Sequence, residues 1–498
     1  MLWLCIVLPR LPLEALRCDA VDRRIAQATV ITACEGSARW IVCCNPAAER
    51  AGLKPAMSFT VALAIQPALN ALEREPRFEQ AALERLAAWA YQFSSTVITG
   101  DIPRQLRLAS AGAHAGVLWL EIGSSLRLYG GFRSLIEHLE RELAELHYTY
   151  RLGVAPTIEG AALLARAGIR LAITTPAALR ARIRKLPIGA LALAPEILQQ
   201  LHTTGVRTIG MLFELPRAAL ATRFGPELCG YLDRLTGDAA DPRPVFRLPD
   251  KYEARFEFEL EADSAEALLF PLRRGLRELS GFLRARDTCI QDFTIKLQHR
   301  HVPATLLHIG LSVPDRDADR FFALARERLE SIELPAATIA LRLRADRYAQ
   351  PAAMQPDLLS EAVPLNEELA HTIDRIAARL GETQVHRLKL LSEHRPEANW
   401  ASVALEEMRM RSGTADQCPS GILDEPPERP LWLLPQPKPL QNCALPTIGA
   451  GPERIEAGWW DGGDVRRDYF VVRTGSGATL WVFQDLGTGR WHLHGFWS

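Results

Sequence analysis

Between Lys251 and Arg347 the chain runs through strand and helix patterns in the order β-α-β-β-α-β, which restricts this stretch to one layer of sheet backed by helices. Ala254–Leu260 alternates apolar and polar residues, Ala265–Arg284 has helical spacing, and Ile290–Arg300 alternates again. Thr305–Val313 reads as a strand, Asp317–Ser331 as a helix and Ala337–Ala345 as the last strand. In the second strand Phe293, Ile295 and Leu297 fall on one face, and Lys296, Gln298 and Arg300 on the other. The last strand repeats the division, with Ile339, Leu341 and Leu343 inward and Arg342 and Arg344 outward. A face lined with such cations can track a nucleic-acid backbone, each neutralised phosphate adding a salt-dependent increment of affinity. The alternative is a solvated polar face, and acids elsewhere in the segment roughly balance the bases.

A chain of 498 residues is too long for one core and implies about three to five domains. Residues 1 to about 170 read as mixed α/β. Apolar Leu2–Leu8 contains no carboxylate, and the first acid of the chain is Glu14. Strands follow near Ala28–Ala33 and Arg39–Cys44, then helical stretches including Phe78–Phe93, a strand at Val117–Ile122, a helix at about Ser134–Leu146, and a strand at Tyr148–Val154. From about residue 175 short helical segments take over. Pro195–His202, the turn Thr204-Gly205-Val206-Arg207 and Thr208–Leu215 have the outline of a helix-hairpin-helix, which cradles a phosphate with backbone N–H groups. Lys185, Arg207 and Arg217 would be its cations, but Arg207 stands where a second hairpin glycine belongs, and a plain helical turn is the competing reading.

Beyond Tyr348 comes an irregular stretch, an amphipathic helix at about Asn366–Leu380, and a Pro-rich segment from about Glu393 to Pro446 that reads as extended and poorly packed by itself. Within it Leu431–Leu440 is either a second peptide epitope or a strap on the terminal module. Ile455–Trp497 reads as a compact antiparallel β module. Trp400, Trp432, Trp459, Trp460, Trp481, Trp491 and Trp497 are seven of the eleven tryptophans, so this end must bury large rings.

Composition excludes several classes of function. The net charge is −1, so any nucleic-acid surface must be local. The nine cysteines show no C-x-x-C spacing, and the dispersed histidines form no cluster, with His299 and His301 expected to face solvent at a strand end. Reduced, mostly buried thiols in a cytosolic protein follow, with Cys43 and Cys44 on opposite faces of a strand. The apolar start is too short to span a bilayer and lacks a basic flank, so neither export nor membrane insertion is expected. No Walker motif, nucleophile elbow or HExxH is present.

Three segments, taken in order, carry a family resemblance: Leu2–Leu8; Asn45–Met57, reading Asn-Pro-Ala-Ala-Glu-Arg-Ala-Gly-Leu-Lys-Pro-Ala-Met; and Val117–Ile122 running into Gly123 and Tyr129-Gly130-Gly131. Together they resemble the amino-terminal half of Y-family translesion DNA polymerases. The match extends nearly end to end with ImuB-type proteins, the polymerase-like, non-catalytic members. The resemblance implies an α/β and α+β multidomain fold: a palm over 1–170 with a small fingers insert near 46–95, a helical thumb over 171–245 and a little finger over 250–348. A linker (349–362), a helix and strand extension (363–392), a Pro-rich linker (393–450) and a Trp-rich β module (451–498) would follow.

In the resembled family two aspartates on the first strand and a later Asp-Glu pair bind two catalytic metals. By register these positions fall on Cys5, Val7, Gly116 and Val117, so all four acids are missing. Two-metal phosphoryl transfer needs divalent ions about 3.5–4 Å apart, held by hard oxygen ligands. Sulfur and hydrocarbon do not supply them. Glu121, read as a strand-end acid facing solvent, and Asp101, read as a loop acid, are the only nearby carboxylates that could rebuild a site. The family's triphosphate ligands, a tyrosine and arginine before the fingers glycine and two lysines in a later helix, correspond to Pro46–Gly52 and Thr157–Ala162. The tyrosine and both lysines are gone, and Arg50 stands one residue off register beside Glu49.

The segment Gln355-Pro356-Asp357-Leu358-Leu359 is similar to the pentapeptide by which bacterial polymerases dock on the sliding clamp. Gln355 would supply a directional hydrogen bond, Asp357 is of the acidic type common there, and Leu358 and Leu359 would fill an apolar pocket. Leucine replaces the commoner phenylalanine at the end. The expected protein is therefore a non-catalytic adaptor of translesion synthesis, needing no cofactor and no metal, cytoplasmic and nucleoid-associated. The resemblance implies its partners: the sliding clamp, an error-prone replicative-type DNA polymerase, a RecA-like accessory protein of ImuA type, and DNA bound weakly, in a DNA-damage (SOS) setting. The alternatives are an active lesion-bypass polymerase using displaced acids such as Glu121, and a DNA-binding structural protein without a clamp role.

Overall fold

The apolar amino-terminal run forms β1 (Trp3–Leu8), and all of it is buried. A strand can lose both faces to the interior only where other elements cover each side, and the following elements provide that cover. In chain order they are α1 (Leu11–Leu16), β2 (Thr29–Glu35), β3 (Ala38–Cys44), α2 (Pro46–Arg50), α3 (Phe59–Ile65), β4 (Asn70–Glu73), α4 (Pro76–Ala90), β5 (Val97–Thr99), β6 (Gly116–Glu121), α5 (Phe132–Glu145), β7 (Arg151–Ala155) and α6 (Ile158–Arg166). The sheet order is β5-β6-β1-β7, with β1 antiparallel to β6 and β7. Leu4, Ile6 and Leu8 pack with Leu83, Leu86 and Trp89 of α4 and with Leu135 and Leu139 of α5. Trp3, Cys5 and Val7 face the other way, into a core with Ala161, Leu164 and Ala165 of α6. Gly153 on β7 lets that helix approach, since a Cβ there would lie 2.3 Å from the Ala161 carbonyl oxygen. A smaller sheet, β3-β2-β4, carries Cys43 and Cys44 into two different clusters, on opposite faces as expected.

This computed structural model describes residues 1–16, 27–100, 116–351, 363–404, 429–440 and 447–497. The chain divides into two units, Met1–Arg379 and Leu380–Ser498. In the first unit five short helices follow the sheet: α7 (Pro176–Ile183), α8 (Pro195–Thr203), α9 (Ile209–Glu214), α10 (Arg217–Phe224) and α11 (Pro226–Thr236). Thr175 and Thr208 cap α7 and α9 by accepting from Ala178 N and Met211 N. Leu179, Ile209, Leu220 and Leu232 join the core on the Cys5 side of the sheet.

Next come β8 (Tyr252–Ala262), α12 (Ala265–Arg286), β9 (Cys289–His299), β10 (Thr305–Asp315), α13 (Ala318–Glu330), β11 (Thr338–Ala345), β12 (Tyr348–Ala349) and α14 (Val363–Leu380). The sheet order is β10-β9-β11-β8, with β12 on β9. Phe293, Ile295, Leu297, Leu341 and Leu343 are fully buried on the helix-covered face. Ile339, expected inward, is only partly buried: the register shifts between Thr338 and Ala340, and those two residues are buried instead. His299, expected in solvent, is also buried, with its ring against Thr305 Oγ1 (2.9 Å) and the Ala337 carbonyl (3.2 Å).

α12 docks this sheet module onto α4 and α5. Arg85 Nε donates to Glu278 Oε2 at 2.8 Å, with Glu278 fully enclosed. Arg284 pairs with Glu142 at 2.7 Å, Arg277 with Glu145 at 2.9 Å, and Arg274 donates to the Glu14 carbonyl. Gly281 fits against Trp89 because it has no side chain. At the module's far edge Asp374 of α14 accepts from Ser312 N (2.8 Å) and pairs with Arg320 (2.7 Å).

The second unit contains a hairpin of β13 (His386–Leu390) and β14 (Trp400–Ala404). It continues with β15 (Trp432–Pro439), β16 (Thr447–Ala457), β17 (Val465–Arg473), β18 (Thr479–Asp485) and β19 (Trp491–Phe496), in the sheet order β15-β19-β18-β17-β16. The Tyr469 and Trp481 rings stack 4.1 Å apart beside Phe483 and buried His494. The reading of the Pro-rich stretch as an unpacked linker needs correction. Trp432–Pro439 is a strand paired with β19, so Leu431–Leu440 is the strap that was one of its two readings.

A Cβ at Gly281 would lie 2.3 Å from Trp89 Cδ1. Gly281→Leu should therefore destabilise the first unit by about 1–3 kcal/mol through overpacking. Urea denaturation followed by hydrogen exchange of the α12 amides measures it, and unchanged protection there would show that the docking tolerates the side chain.

Candidate functional site

Strand pairing decides where Cys5, Val7, Gly116 and Val117 lie, the positions to which the resemblance assigns the acids. Val7 is paired with Val117, Cys5 with Trp119, and Leu8 with Gly116. Directly paired residues share a face, so Cys5, Val7 and Val117 line one side of the sheet while Gly116 faces the other. A Cβ at Gly116 would meet Leu11 Cδ2 at 2.2 Å and Leu83 Cδ1 at 3.3 Å, on the α4 side. An acid at position 116 would point away from Val7. Cys5 is fully buried, and desolvation pushes its thiol well above the ordinary range, with Arg166 opposing more weakly. The donor set is one protonated thiol and two valines, which does not fit a pair of divalent ions. Among the described residues no three His, Cys, Asp or Glu side chains gather as a possible metal site.

Glu121, expected to face solvent at a strand end, is instead partly buried and fully engaged. Its Oε1 accepts from Leu2 N (3.0 Å) and Gly123 N (3.1 Å), and its Oε2 from Ser124 N (3.3 Å) and Ser124 Oγ (3.0 Å). Burial raises its pKa, but the hydrogen bonds outweigh burial and hold the carboxyl below its ordinary value. Glu121 pairs with Trp3 and so lies four residues along β6 from Val117, about 13 Å away. It staples the start of β1 to the turn after β6. Asp101 lies outside the described residues.

The positions to which the resemblance assigns the triphosphate ligands are likewise committed elsewhere. Glu49 pairs with Arg10 at 2.8 Å, and Arg50 Nε donates to the Pro46 carbonyl. Thr157 caps α6 by accepting from Gly160 N, and Ile158, Ala161 and Ala162 are core.

Of the helical-block cations, Lys185 and Arg207 are both exposed, and the short segments that carry them pair with each other. Ile188 N donates to the Arg207 carbonyl, Ile209 N to the Leu186 carbonyl, and Pro187 bridges Thr208. Gly205, at φ +84°, makes the turn that the hairpin reading requires. Arg217 is committed elsewhere: its guanidinium is held by Asp233 and the Cys229 carbonyl.

On the β9/β11 face Lys296 and Arg342 sit side by side in register. Arg342 pairs with Glu253 (3.2 Å), Arg344 with Asp346 (2.6 Å) and Arg300 with Glu261 (2.7 Å). A phosphate would have to displace a carboxylate at each arginine. The pentapeptide residues Gln355, Asp357, Leu358 and Leu359 lie outside the described residues.

Part of this chain matches a known family model, and most of it aligns with curated relatives. Residues 16–166 match the model of the impB/mucB/samB family. Two curated relatives, each named Protein ImuB and from two strains of Caulobacter vibrioides, are 29% identical over 480 residues, covering 90% of this chain and 100% of theirs. The chain resembles ImuB along nearly its whole length. Among solved structures it is similar to DinB from Sulfolobus solfataricus (TM-score 0.38, 13% identity) and to a Dbh DNA polymerase insertion ternary complex (TM-score 0.39, 13% identity). Each match covers 70% of this chain and 100% of the other. The mixed α/β and α+β fold class implied by the resemblance holds, with an additional carboxy-terminal β-sheet region. No helix among the described residues is long and apolar enough to cross a membrane.

Two measurements follow. Because the folded Glu121 carboxyl titrates below its ordinary value of 4.5, its contribution to stability is complete above that value and is lost as pH falls through the folded value. Glu121→Gln should therefore lower Tm at pH 7, with the gap to the parent closing below about pH 4; a constant gap across pH would mean that charge plays no part. For the sheet face, Ala at Lys296, Arg300, Arg342 and Arg344 should flatten the log affinity–log salt slope by fewer units than the about 0.9 per phosphate expected of four free cations. A full four-phosphate change would show that the carboxylates do not hold the arginines in solution.

Proposed function

We propose that this protein is a non-catalytic, Y-family-like adaptor of translesion DNA synthesis, which docks on the sliding clamp and recruits an error-prone replicative-type polymerase and a RecA-like accessory protein after DNA damage. The observation that carries the non-catalytic half is the sheet face at Cys5, Val7 and Val117, where thiol and hydrocarbon stand at the ligand positions and position 116 points away. The ImuB relatives, similar over 90% of the chain, support the same reading. The adaptor half rests on the Gln355–Leu359 pentapeptide and on the resemblance. Cytoplasmic, nucleoid-associated residence belongs to this proposal.

An active polymerase relying on Glu121 is the runner-up. It would have to release a carboxylate that already accepts four hydrogen bonds and lies strands' length from Val7. A DNA-binding protein without a clamp role is the third reading, and the exposed Lys185 and Arg207 and the β9/β11 face suit it equally.

One set of experiments separates the three. The purified chain should show no templated incorporation with Mg²⁺ or Mn²⁺, and extension abolished by Glu121→Ala would establish the runner-up. The sliding clamp should retain the parent but not a Leu358→Ala/Leu359→Ala variant, since each buried leucine contributes about 1.5–3 kcal/mol and a short peptide has few other anchors. The variant should melt like the parent. Unchanged clamp retention would favour the third reading, and a lowered Tm would make the leucines part of a core.

A further inference from the structure

The segment between α11 and β8 returns along the amino-terminal sheet on the face that carries Cys5 and Val7. Phe246 N donates to the Val97 carbonyl at 2.7 Å, so this strap is hydrogen-bonded to the β5 edge. Three residues earlier, the Arg243 guanidinium lies 4.6 Å from the centre of the Trp119 ring. Trp119 is paired with Cys5 and stands two residues from Val117 on the same face. Its indole N–H donates to the Ile158 carbonyl at 3.1 Å, which fixes the ring against α6. Arg243 also ion-pairs with Glu159 in the first turn of α6, and with Asp241 through Nη2 (2.8 Å) and Nε (3.1 Å). Arg166, at the other end of α6, lies 4.0 Å from the same Glu159. Arg234 Nε lies 3.9 Å from Asp241, so three guanidiniums share two carboxylates in a cluster whose centre is largely enclosed, with Arg243 and Glu159 only 21% and 14% exposed.

We infer that Arg243 is an internal cation standing over the face where the resembled polymerases hold their metals, closing it with the strap rather than leaving an empty cleft. The inference rests on the reading that the Cys5–Val7–Val117 face is the counterpart of that metal face, and it adds a residue that the missing acids alone do not specify. A guanidinium stacked on an aromatic ring and bound by two carboxylates is a permanent +1 charge that needs no hydration. It satisfies Glu159, which would otherwise be a largely buried acid with only Arg166, at 4.0 Å, beside it, and it repels any divalent ion brought to the same place. Returning acids to the face would therefore not return metals. New carboxylates would pair with Arg243.

The test uses the full chain and Mn²⁺ alone. Val7→Asp/Val117→Glu places two paired carboxylates on the face. With Arg243 present this variant should show no saturable Mn²⁺ binding by titration calorimetry. With Arg243→Ala added, binding should appear and be at least tenfold tighter. Equal binding in the two backgrounds, or binding in neither, overturns the inference. Should the acidic variants not fold, Arg243→Ala alone decides it: hydrogen exchange at Phe246 should accelerate at least tenfold, amides of β17 and β18 should not change, and Arg243→Lys should restore protection only in part. An unchanged Phe246 rate would mean that the strap is held without the cation and would overturn the inference too. Primer extension by the native chain is a separate readout, so the non-catalytic reading can fail while the placement of Arg243 stands, and the reverse.

Discussion

Burial of β1 on both faces organises the amino-terminal region. Leu4, Ile6 and Leu8 are the ground on which α4 and α5 pack, and Trp3, Cys5 and Val7 are the ground for α6 and the helical block. Each fully buried aliphatic side chain contributes about 1.5–3 kcal/mol relative to exposure. A carboxylate at Cys5 or Val7 would lose that contribution and add a desolvation cost that only a metal or a basic partner could offset. Core and metal site compete for the same two positions, and here the core holds them. The close approach of α6 at Gly153 and the Glu121 staple at the end of β6 both depend on β1 staying where this burial puts it.

The second constraint is electrostatic. Arg85 and Glu278 meet with 12% and 0% of their side chains exposed, where the surroundings screen little. Such a pair adds little over a well-packed apolar pair, but losing one partner leaves a buried charge, at a cost of about 3–5 kcal/mol. An exposed pair such as Arg133–Glu137 on α5 contributes about 0.3–0.5 kcal/mol. The buried pair thus makes the docking of α12 on α4 specific, while apolar packing of α12 residues such as Leu279 and Phe282 in the sheet-module core supplies most of the stability.

Periodicity made the β-α-β-β-α-β module legible because its buried residues alternate, as Phe293, Ile295 and Leu297 do. Ile339 escaped because a bulge leaves no mark in a short strand's composition. That Cys5, Val7, Gly116 and Val117 carry no carboxylate was plain from residue type, but the orientation of Gly116 required the pairing of Leu8 with Gly116. Glu121 looked like a solvent acid because three of its four donors are backbone N–H groups, which sequence does not display. Arg217 looked free because Asp233 is sixteen residues away on another helix. Arg243 and Glu159 are 84 residues apart, and no local pattern joins them. The Pro-rich segment concealed β15 because prolines are tolerated on an edge strand, and β15 is an edge of its sheet.

The pairing of the outward arginines bears on what the molecule can do with DNA. Arg300, Arg342 and Arg344 each already hold a carboxylate, so a phosphate contact exchanges one ion pair for another and gains mainly from counterion release. Any DNA contact made through a face built this way would be weak and readily released. On the adaptor reading that is an advantage, because a second weak attachment through a short peptide turns the two into one tethered interaction. Linking raises the effective concentration of the second site to the order of millimolar for a short flexible connection, and overall avidity by about 10²–10⁴ over either site alone. Neither attachment then needs to be strong, and breaking either one releases the whole. On the same reading, a protein that held DNA by four unpaired cations would gain little from the clamp and would obstruct the polymerase it brings.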